Sequence, residues 1–151
     1  DKLKERFTKT EDNKEQFVLV WADESGRDED IVLTQHDIRQ LQLAKGAIVS
    51  GVMMLQNVMD VPDEKLKELM LCGGFGNYIS TESAVKIKLL PNLELDTITY
   101  LGNAAHLGAQ MALLSELERD RAQKITSEVQ HVALATHPDF QNIFVEALKF
   151  D

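Results

Sequence analysis

The chain has 151 residues, 44% of them hydrophobic and 27% charged, which suits one globular domain and excludes disordered and collagen-like proteins. Its net charge of −9 argues against a nucleic-acid binder, which would usually present a basic face. Its single cysteine excludes an internal disulfide or an iron–sulfur cluster held by this chain alone, and it fits a reducing, cytoplasmic setting.

The first part of the sequence predicts a charged lead-in and then a hairpin. Residues 1–15 are mostly charged and are interpreted as a solvated lead-in or the end of an upstream element, so that the domain covers 16–151. Because the chain does not begin with Met, we expect it to be a fragment of a longer protein. The apolar runs 17–21 and 31–33 flank a polar segment that contains Gly26. Two such runs around a polar turn predict an antiparallel hairpin.

A long helix follows the hairpin. Thr34 and Asp37 form a capping-box pattern at the start of a helix predicted over about 37–59. Two apolar stripes run along it, and a helix that is apolar on most sides is expected to be covered on most sides. The run 41–59 nevertheless contains five polar residues, so no membrane-spanning segment is expected.

The second part of the sequence alternates strands with helices. Strands are predicted at 69–72 and 97–101, and each runs directly into a glycine. This alternation predicts an α/β fold with a largely parallel sheet, preceded by the antiparallel hairpin. The other predicted elements are a helix over 81–90, a helix over 104–117 that continues in polar form to 129, a strand over 131–135 and a last helix that begins near Thr136.

The glycine turns after the two strands are candidate ligand sites. Glycine lets the backbone bend sharply and approach a ligand closely, and ligands of open α/β sheets bind beyond the carboxyl ends of the strands. If the two strands are neighbours, both turns open on the same edge. The alternatives are a tight strand-to-helix turn for the first and close packing of a helix on the sheet for the second. The turns are Gly73-Gly74-Phe75-Gly76-Asn77 and Gly102-Asn103.

Lys45 is a further candidate, since it is the only charged residue between Arg39 and Asp60. A lysine between two apolar stripes either extends its ammonium group to solvent or meets an anion or polar acceptor, because an unpaired buried ammonium is costly. Both alternatives remain open at this point.

Several common catalytic and cofactor motifs are missing from the sequence. It contains no P-loop and no G-x-S-x-G nucleophile motif, and Ile79 interrupts the dinucleotide-binding fingerprint. The four histidines lack metal-ligand spacing with a carboxylate or with Cys72. The residues alone therefore predict no catalytic group and no metal site.

Five segments together resemble the C-terminal domain of the reductive activators of corrinoid proteins. These activators are ferredoxin-fused ATPases that restore Co(I) in corrinoid proteins, and the resemblance covers roughly residues 17–150. It implies the second lobe of an actin-like, ribonuclease H-like ATPase fold, with a mixed sheet that has an antiparallel N-terminal hairpin and parallel strands covered by helices. The segments are 37–48, 72–78, 90–91, 102–105 and 135–140.

The resemblance also implies site residues. In the superfamily of actin, sugar kinases and heat-shock chaperones, a Gly-Gly turn after a strand holds the adenosine of ATP, and a lysine from a preceding helix lies near the nucleoside. Gly102 and Asn103 would match the hinge-side glycine region between the two lobes. The residues that would border the adenosine are Gly73, Gly74, Phe75, Gly76 and Asn77, with Lys45 and Gln42 alongside.

Cofactors and partners follow from the same resemblance. The parent protein would bind ATP or ADP with Mg²⁺, but the acidic D-x-G-[ST] hairpins that hold phosphate and metal are missing here, as are the cysteines for a [2Fe-2S] cluster. Both would come from upstream, so the fragment alone is expected not to turn over ATP. Expected partners are a corrinoid protein or corrinoid methyltransferase component, the chain's own upstream lobe and a second copy in a homodimer, with neither nucleic acid nor membrane.

Two other functions remain open in the sequence. One is a nucleotide-binding or protein-interaction module without ATPase activity of its own. The other is a lobe of a sugar- or acetate-kinase-like enzyme. An upstream segment with plant-type ferredoxin cysteines would favour the redox activator over both.

Overall fold

The computed structural model describes residues 2–76, 78–91 and 93–150, except for the side chains of residues 75 and 76. Two units divide the chain, Asp1–Lys45 and Gly46–Asp151. Among the described residues, no helix combines the length and the apolar character needed to cross a membrane.

The first unit contains a three-stranded antiparallel sheet in the order β1-β2-β3. The predicted hairpin is therefore confirmed as β2 and β3, and a short helix, α1, occupies the polar segment between them. The elements are β1 Phe7–Lys9, β2 Glu15–Val20, α1 Ala22–Ser25 and β3 Ile31–Thr34.

Strand β1 lies within the segment that the sequence analysis interpreted as a charged lead-in, and it was not predicted. The Phe7 ring packs edge-on against Phe17, with ring centroids 5.0 Å apart. Just before the strand, Arg6 Nη1 donates hydrogen bonds to the carbonyl oxygens of Val18 at 2.9 Å and Leu19 at 2.8 Å. These pairings are made with a distant part of the chain, so a local pattern of charge could not reveal them.

Helix α2, Gln35–Met59, begins with the predicted capping box. The Asp37 N–H donates to Thr34 Oγ1 at 3.2 Å, and the Thr34 N–H donates to Asp37 Oδ2 at 2.8 Å. This reciprocal pair satisfies donors that the first helical turn leaves without an intrahelical partner.

The expectation that α2 is covered on most sides is wrong for this chain. Large apolar side chains on the helix remain between 43% and 69% exposed. They are Leu41, Leu43, Ile48, Leu55, Val58 and Met59.

The capping box predicts a pH dependence of stability. A hydrogen bond from the Thr34 side chain, followed in size by one from its backbone N–H, lowers the pKa of Asp37 below its usual 3.8. Since the pKa is lower in the folded state, this stabilisation is present above pH 3.8 and is lost as the pH falls through the folded-state pKa.

Replacing Asp37 with Asn should therefore remove part of the acid-induced loss of stability. The check is the urea midpoint measured from about pH 6 down to pH 2 for the parent chain, Asp37→Asn and Thr34→Val. Both variants should show a flatter profile than the parent. An unchanged slope in Asp37→Asn would contradict the prediction.

The second unit contains a two-stranded parallel sheet, so the predicted parallel pairing is confirmed. Together with the hairpin, it gives the mixed α/β fold that the resemblance implied, with the antiparallel and parallel strands in separate sheets among the described residues. The elements are β4 Leu69–Cys72, α3 Gly73–Gly76, α4 Thr81–Lys86, β5 Ile98–Gly102, α5 Ala104–Leu114, α6 Glu116–Glu128 and α7 Phe140–Ala147.

Several predicted elements of this unit differ in the structure. The helix predicted over 81–90 ends at Lys86, and the last helix begins at Phe140 and not near Thr136. The single helix predicted from residue 104 is divided, because Ser115 adopts an extended backbone and its Oγ accepts a hydrogen bond from the Glu118 N–H at 3.3 Å, which starts α6. The strand predicted over 131–135 is wrong: a 3₁₀ turn occupies Leu134–Thr136. An apolar run of that length does not by itself distinguish a strand from a turn.

The core of the second unit is small. Its buried apolar residues come from α2, α4, the end of the α4 turn, β5 and α7, and they are Met54, Ala84, Leu89, Ile98 and Ala147. Strand β4 was predicted to be buried, but Met70 is 55% exposed and Cys72 is exposed, so only one face of that strand is covered.

Candidate functional site

The two glycine turns leave the parallel sheet side by side. Strands β4 and β5 pair from Leu69 with Ile98 to Cys72 with Gly102. The last pair joins the residue before Gly73 to the residue before Asn103. The condition set by the sequence is met, because the two strands are neighbours and both turns lie at the carboxyl edge, where ligands of α/β sheets bind.

Backbone conformation explains the glycines at the start of each turn. Gly73 has φ +85° and Gly102 has φ +62°, conformations that L side chains rarely adopt. A Cβ atom built on either residue meets no atom within 4 Å in the part of the chain that the structure describes, so the requirement for glycine there is conformational.

Gly74 differs from these two glycines. Its φ is not positive, and a Cβ atom built on it also meets no atom of the described residues within 4 Å. Neither strain nor a packing neighbour accounts for a glycine there. A ligand can approach the backbone closely where no side chain occupies the space beside it, so Gly74 fits the predicted contact with a ligand.

Hydrogen bonds tie the chain after the first turn to the sheet and cap the helix that follows the second turn. The Tyr100 hydroxyl on β5 donates to the Ile79 carbonyl oxygen at 2.9 Å and also bonds the Thr81 hydroxyl, which ties the chain after α3 to the neighbouring strand. Asn103 Oδ1 accepts from the His106 N–H at 3.1 Å and caps α5. Asn103 therefore has a structural role, and its predicted place near a ligand stays a prediction.

The structure describes the other predicted site residues unevenly. Gly76 lies in the short helix α3, while Asn77 and the side chain of Phe75 lie outside the described residues. Gln42 and Lys45 lie on α2, where Gln42 is partly buried and Lys45 is only 2% exposed. The alternative that the Lys45 ammonium extends to solvent is thereby wrong, and a polar partner for it is required.

Metal ligands are a separate question. Within residues 2–76, 78–91 and 93–150, no group of three or more histidines, cysteines or acidic residues is arranged to hold a metal ion. Cys72 is the single cysteine of the sequence, and four thiolates hold a plant-type [2Fe-2S] cluster. This chain does not fit such a cluster.

A cavity in the second unit was not predicted from the sequence. It has a volume of about 590 Å³ and lies between the second half of α2 and the segment after α4. No motif pointed to it, because its lining comes from residues that look like ordinary helix positions. The residues are Val49, Val52, Met53, Gln56, Asn57, Asp63, Val85, Lys86, Lys88, Leu89, Leu90 and Pro91.

Comparisons with known proteins agree on one family. The model of the family described as the C-terminal domain of RACo, the ASKHA domain, matches residues 1–151. The corrinoid activation enzyme RamQ of Eubacterium limosum is 38% identical over 143 residues, which are 95% of this chain and 24% of that enzyme. A solved reductive activator for corrinoid, iron-sulfur protein matches with a TM-score of 0.80 and 37% identity, over 96% of this chain and 23% of that chain. The chain thus spans about a quarter of each relative.

Proposed function

This chain belongs to the family of C-terminal ASKHA domains of RACo, and on that basis we propose that it is the nucleotide-binding lobe of an ATP-dependent reductive activator of corrinoid proteins. The observation that carries the proposal is the pairing of Cys72 with Gly102, which puts two glycine turns at one carboxyl edge of the parallel sheet. The two similar proteins named for corrinoid activation supply the biological context.

We assign the nucleoside to the edge formed by these turns. The backbone of Gly73 and Gly74 would contact the adenosine, because both positions leave open the volume that a side chain would fill. Gly102 and Asn103 would border it from β5. Phe75, Gly76, Asn77, Lys45 and Gln42 complete the proposed set on the strength of the family resemblance.

The remaining parts of the reaction belong to regions of a longer protein that this chain does not span. They would supply the phosphate- and Mg²⁺-binding hairpins and the [2Fe-2S] ferredoxin domain from which the electron passes to cob(II)alamin. A nucleotide can shift the two lobes from one arrangement to another only if it binds one arrangement more tightly than the other. This lobe would contribute some of the contacts that make the two affinities differ. The partners would be a corrinoid protein or corrinoid methyltransferase component and the upstream lobe.

Exposed apolar surface supports the assignment to a larger assembly. Helix α5 leaves Leu107, Leu113 and Leu114 between 57% and 85% exposed, and Met70 on β4 is 55% exposed. Large exposed apolar surfaces on soluble proteins mark interaction sites. A lobe whose relatives are about four times longer would have such faces covered by the rest of its protein.

Calorimetry with ADP tests the nucleotide site directly. The 151-residue chain should release heat on ADP binding and show no steady-state ATP hydrolysis. Lys45→Met keeps the apolar stem of the side chain and removes its charge, so it should weaken ADP binding about tenfold. The matched control is Lys124→Met on α6, an exposed site with the same charge change.

The outcomes separate the candidate functions. If the chain does not bind ADP, the proposed nucleotide-binding function is wrong and the protein-interaction module is favoured. If Lys45→Met and Lys124→Met change the affinity for ADP equally, Lys45 is not part of the nucleotide site, but the chain is still a nucleotide-binding lobe. Sustained ATP turnover by the chain alone would contradict the division of the catalytic groups between two lobes.

A further inference from the structure

The cavity beside the second half of α2 has the properties of a small-molecule site. Its volume of about 590 Å³ lies within the range typical of ligand pockets. Val49, Val52 and Met53 on α2 and the buried Leu89 give it apolar walls. None of the described residues of the two glycine turns lines it, so on those residues it is distinct from the proposed nucleoside contacts.

The rim of this cavity is cationic in an acidic chain. Lys86 and Lys88 both line it, and neither ammonium forms an ion pair or hydrogen bond with any of the described residues. The one carboxylate of the lining, Asp63, accepts a hydrogen bond from Gln56 Nε2 at 2.8 Å. The lining therefore holds two lysines and one carboxylate, and the carboxylate is hydrogen-bonded to the neighbouring Gln56.

The backbone of Lys88 is also unusual. The Leu89 N–H donates to the Ala84 carbonyl at 2.8 Å, and the Lys88 N–H donates to the Val85 carbonyl at 2.9 Å. These bonds form a Schellman motif, whose left-handed position strongly favours glycine. Lys88 occupies it with φ +56°. Backbone strain of this kind clusters at functional positions.

We infer that this cavity binds a small amphipathic anion, with its apolar body against Val52 and Leu89 and its anionic group between Lys86 and Lys88. Apolar walls together with a cationic rim select this class over neutral apolar molecules and over simple inorganic anions. The inference does not depend on the nucleotide site and extends the chain's function to a second ligand.

Naphthoate is a suitable probe because it joins an aromatic body to one carboxylate. Its titration into the 151-residue chain should shift the methyl NMR signals of Val49, Val52 and Val85. Naphthalenemethanol, which lacks the charge, and inorganic phosphate, which lacks the apolar body, should each bind more weakly. Saturating ADP should not displace naphthoate.

Two variants test the cationic rim. Lys86→Gln and Lys88→Gly should each weaken naphthoate binding by about two- to fivefold, whereas Lys124→Gln on α6 should leave it unchanged. Lys88→Gly also relieves the left-handed strain, so its thermal midpoint should rise by about 2–4 °C while its affinity falls. A general loss of structure would lower both quantities.

Several results would overturn the inference. They are absence of naphthoate binding, equal affinity for naphthoate and naphthalenemethanol, an equal effect of all three lysine variants, and competition with ADP. If an acidic apolar peptide shifts the valine methyl signals and naphthoate does not, the cavity is a protein-docking groove and the small-molecule site is wrong.

Discussion

Replacement of Gly73 by alanine is expected to lower the free energy of unfolding by about 1–2 kcal/mol, because a Cβ atom strongly disfavours the left-handed backbone conformation. Gly73 has φ +85° directly after β4, where the chain leaves the sheet. A backbone that relaxes to negative φ would redirect α3 and the turn, so ADP binding should fall by at least about tenfold. Urea unfolding and calorimetry measure the two effects.

Gly74→Ala is the matched control, because the same methyl group is added one residue later without strain. Gly74 lies in α3 at an ordinary φ and has open space around its built Cβ, so stability should stay unchanged or rise slightly. If the nucleoside lies against this backbone, affinity for ADP should nevertheless fall. Full ADP affinity in Gly74→Ala would place the nucleoside elsewhere, whatever Gly73→Ala does.

Sequence patterns predicted the parts of the fold that depend on local interactions. The capping box of Thr34 and Asp37 was evident because both partners lie within four residues, and the glycines after β4 and β5 were evident because strand-to-turn changes are local. The sequence did not show that these strands are neighbours, and the shared edge was predicted only on the condition that they are. The pairing of Cys72 with Gly102 is a contact across 30 positions, which no local period encodes.

Features that the sequence did not predict depend on distant packing or on absent neighbours. Strand β1 forms because Phe7 meets Phe17 and Arg6 reaches carbonyls of β2, although residues 1–15, in which it lies, are mostly charged. The apolar stripes of α2 predicted burial, but hydrophobic periodicity indicates only that a helix face is suited to packing against another apolar surface. The periodicity does not indicate whether that surface belongs to the same 151 residues.

The candidate site shows the same division. Glycines in the sequence indicated the positions that need conformational freedom. Lys88 also adopts a left-handed conformation, but a lysine in the sequence gives no such indication. The cavity that it borders became evident only when α2 and the end of α4 were brought together. The combination of apolar walls and lysines arises because these two elements lie side by side.

Gly46→Val on α2 is expected to lower the unfolding free energy by about 1–3 kcal/mol through overpacking. A Cβ atom on Gly46 would lie 2.7 Å from Leu148 Cδ2 and 3.4 Å from Phe144 Cε2. Phe144 packs on Phe140 within α7, with ring centroids 5.9 Å apart. Leu148 can yield by rotating its side chain, but a branched residue also presses on the ring.

Gly51→Ala provides the matched comparison on the same helix, one and a half turns further along. A Cβ there meets only Leu134 Cδ1 at 3.8 Å, an ordinary van der Waals distance. Alanine should therefore raise the unfolding free energy by about 0.5–1 kcal/mol through helix propensity alone. Gly46→Ala gains the same propensity but must displace Leu148, so it should be less stable than Gly51→Ala. Equal stability of the two alanine variants in urea unfolding would mean that α2 and α7 are not in close contact at Gly46.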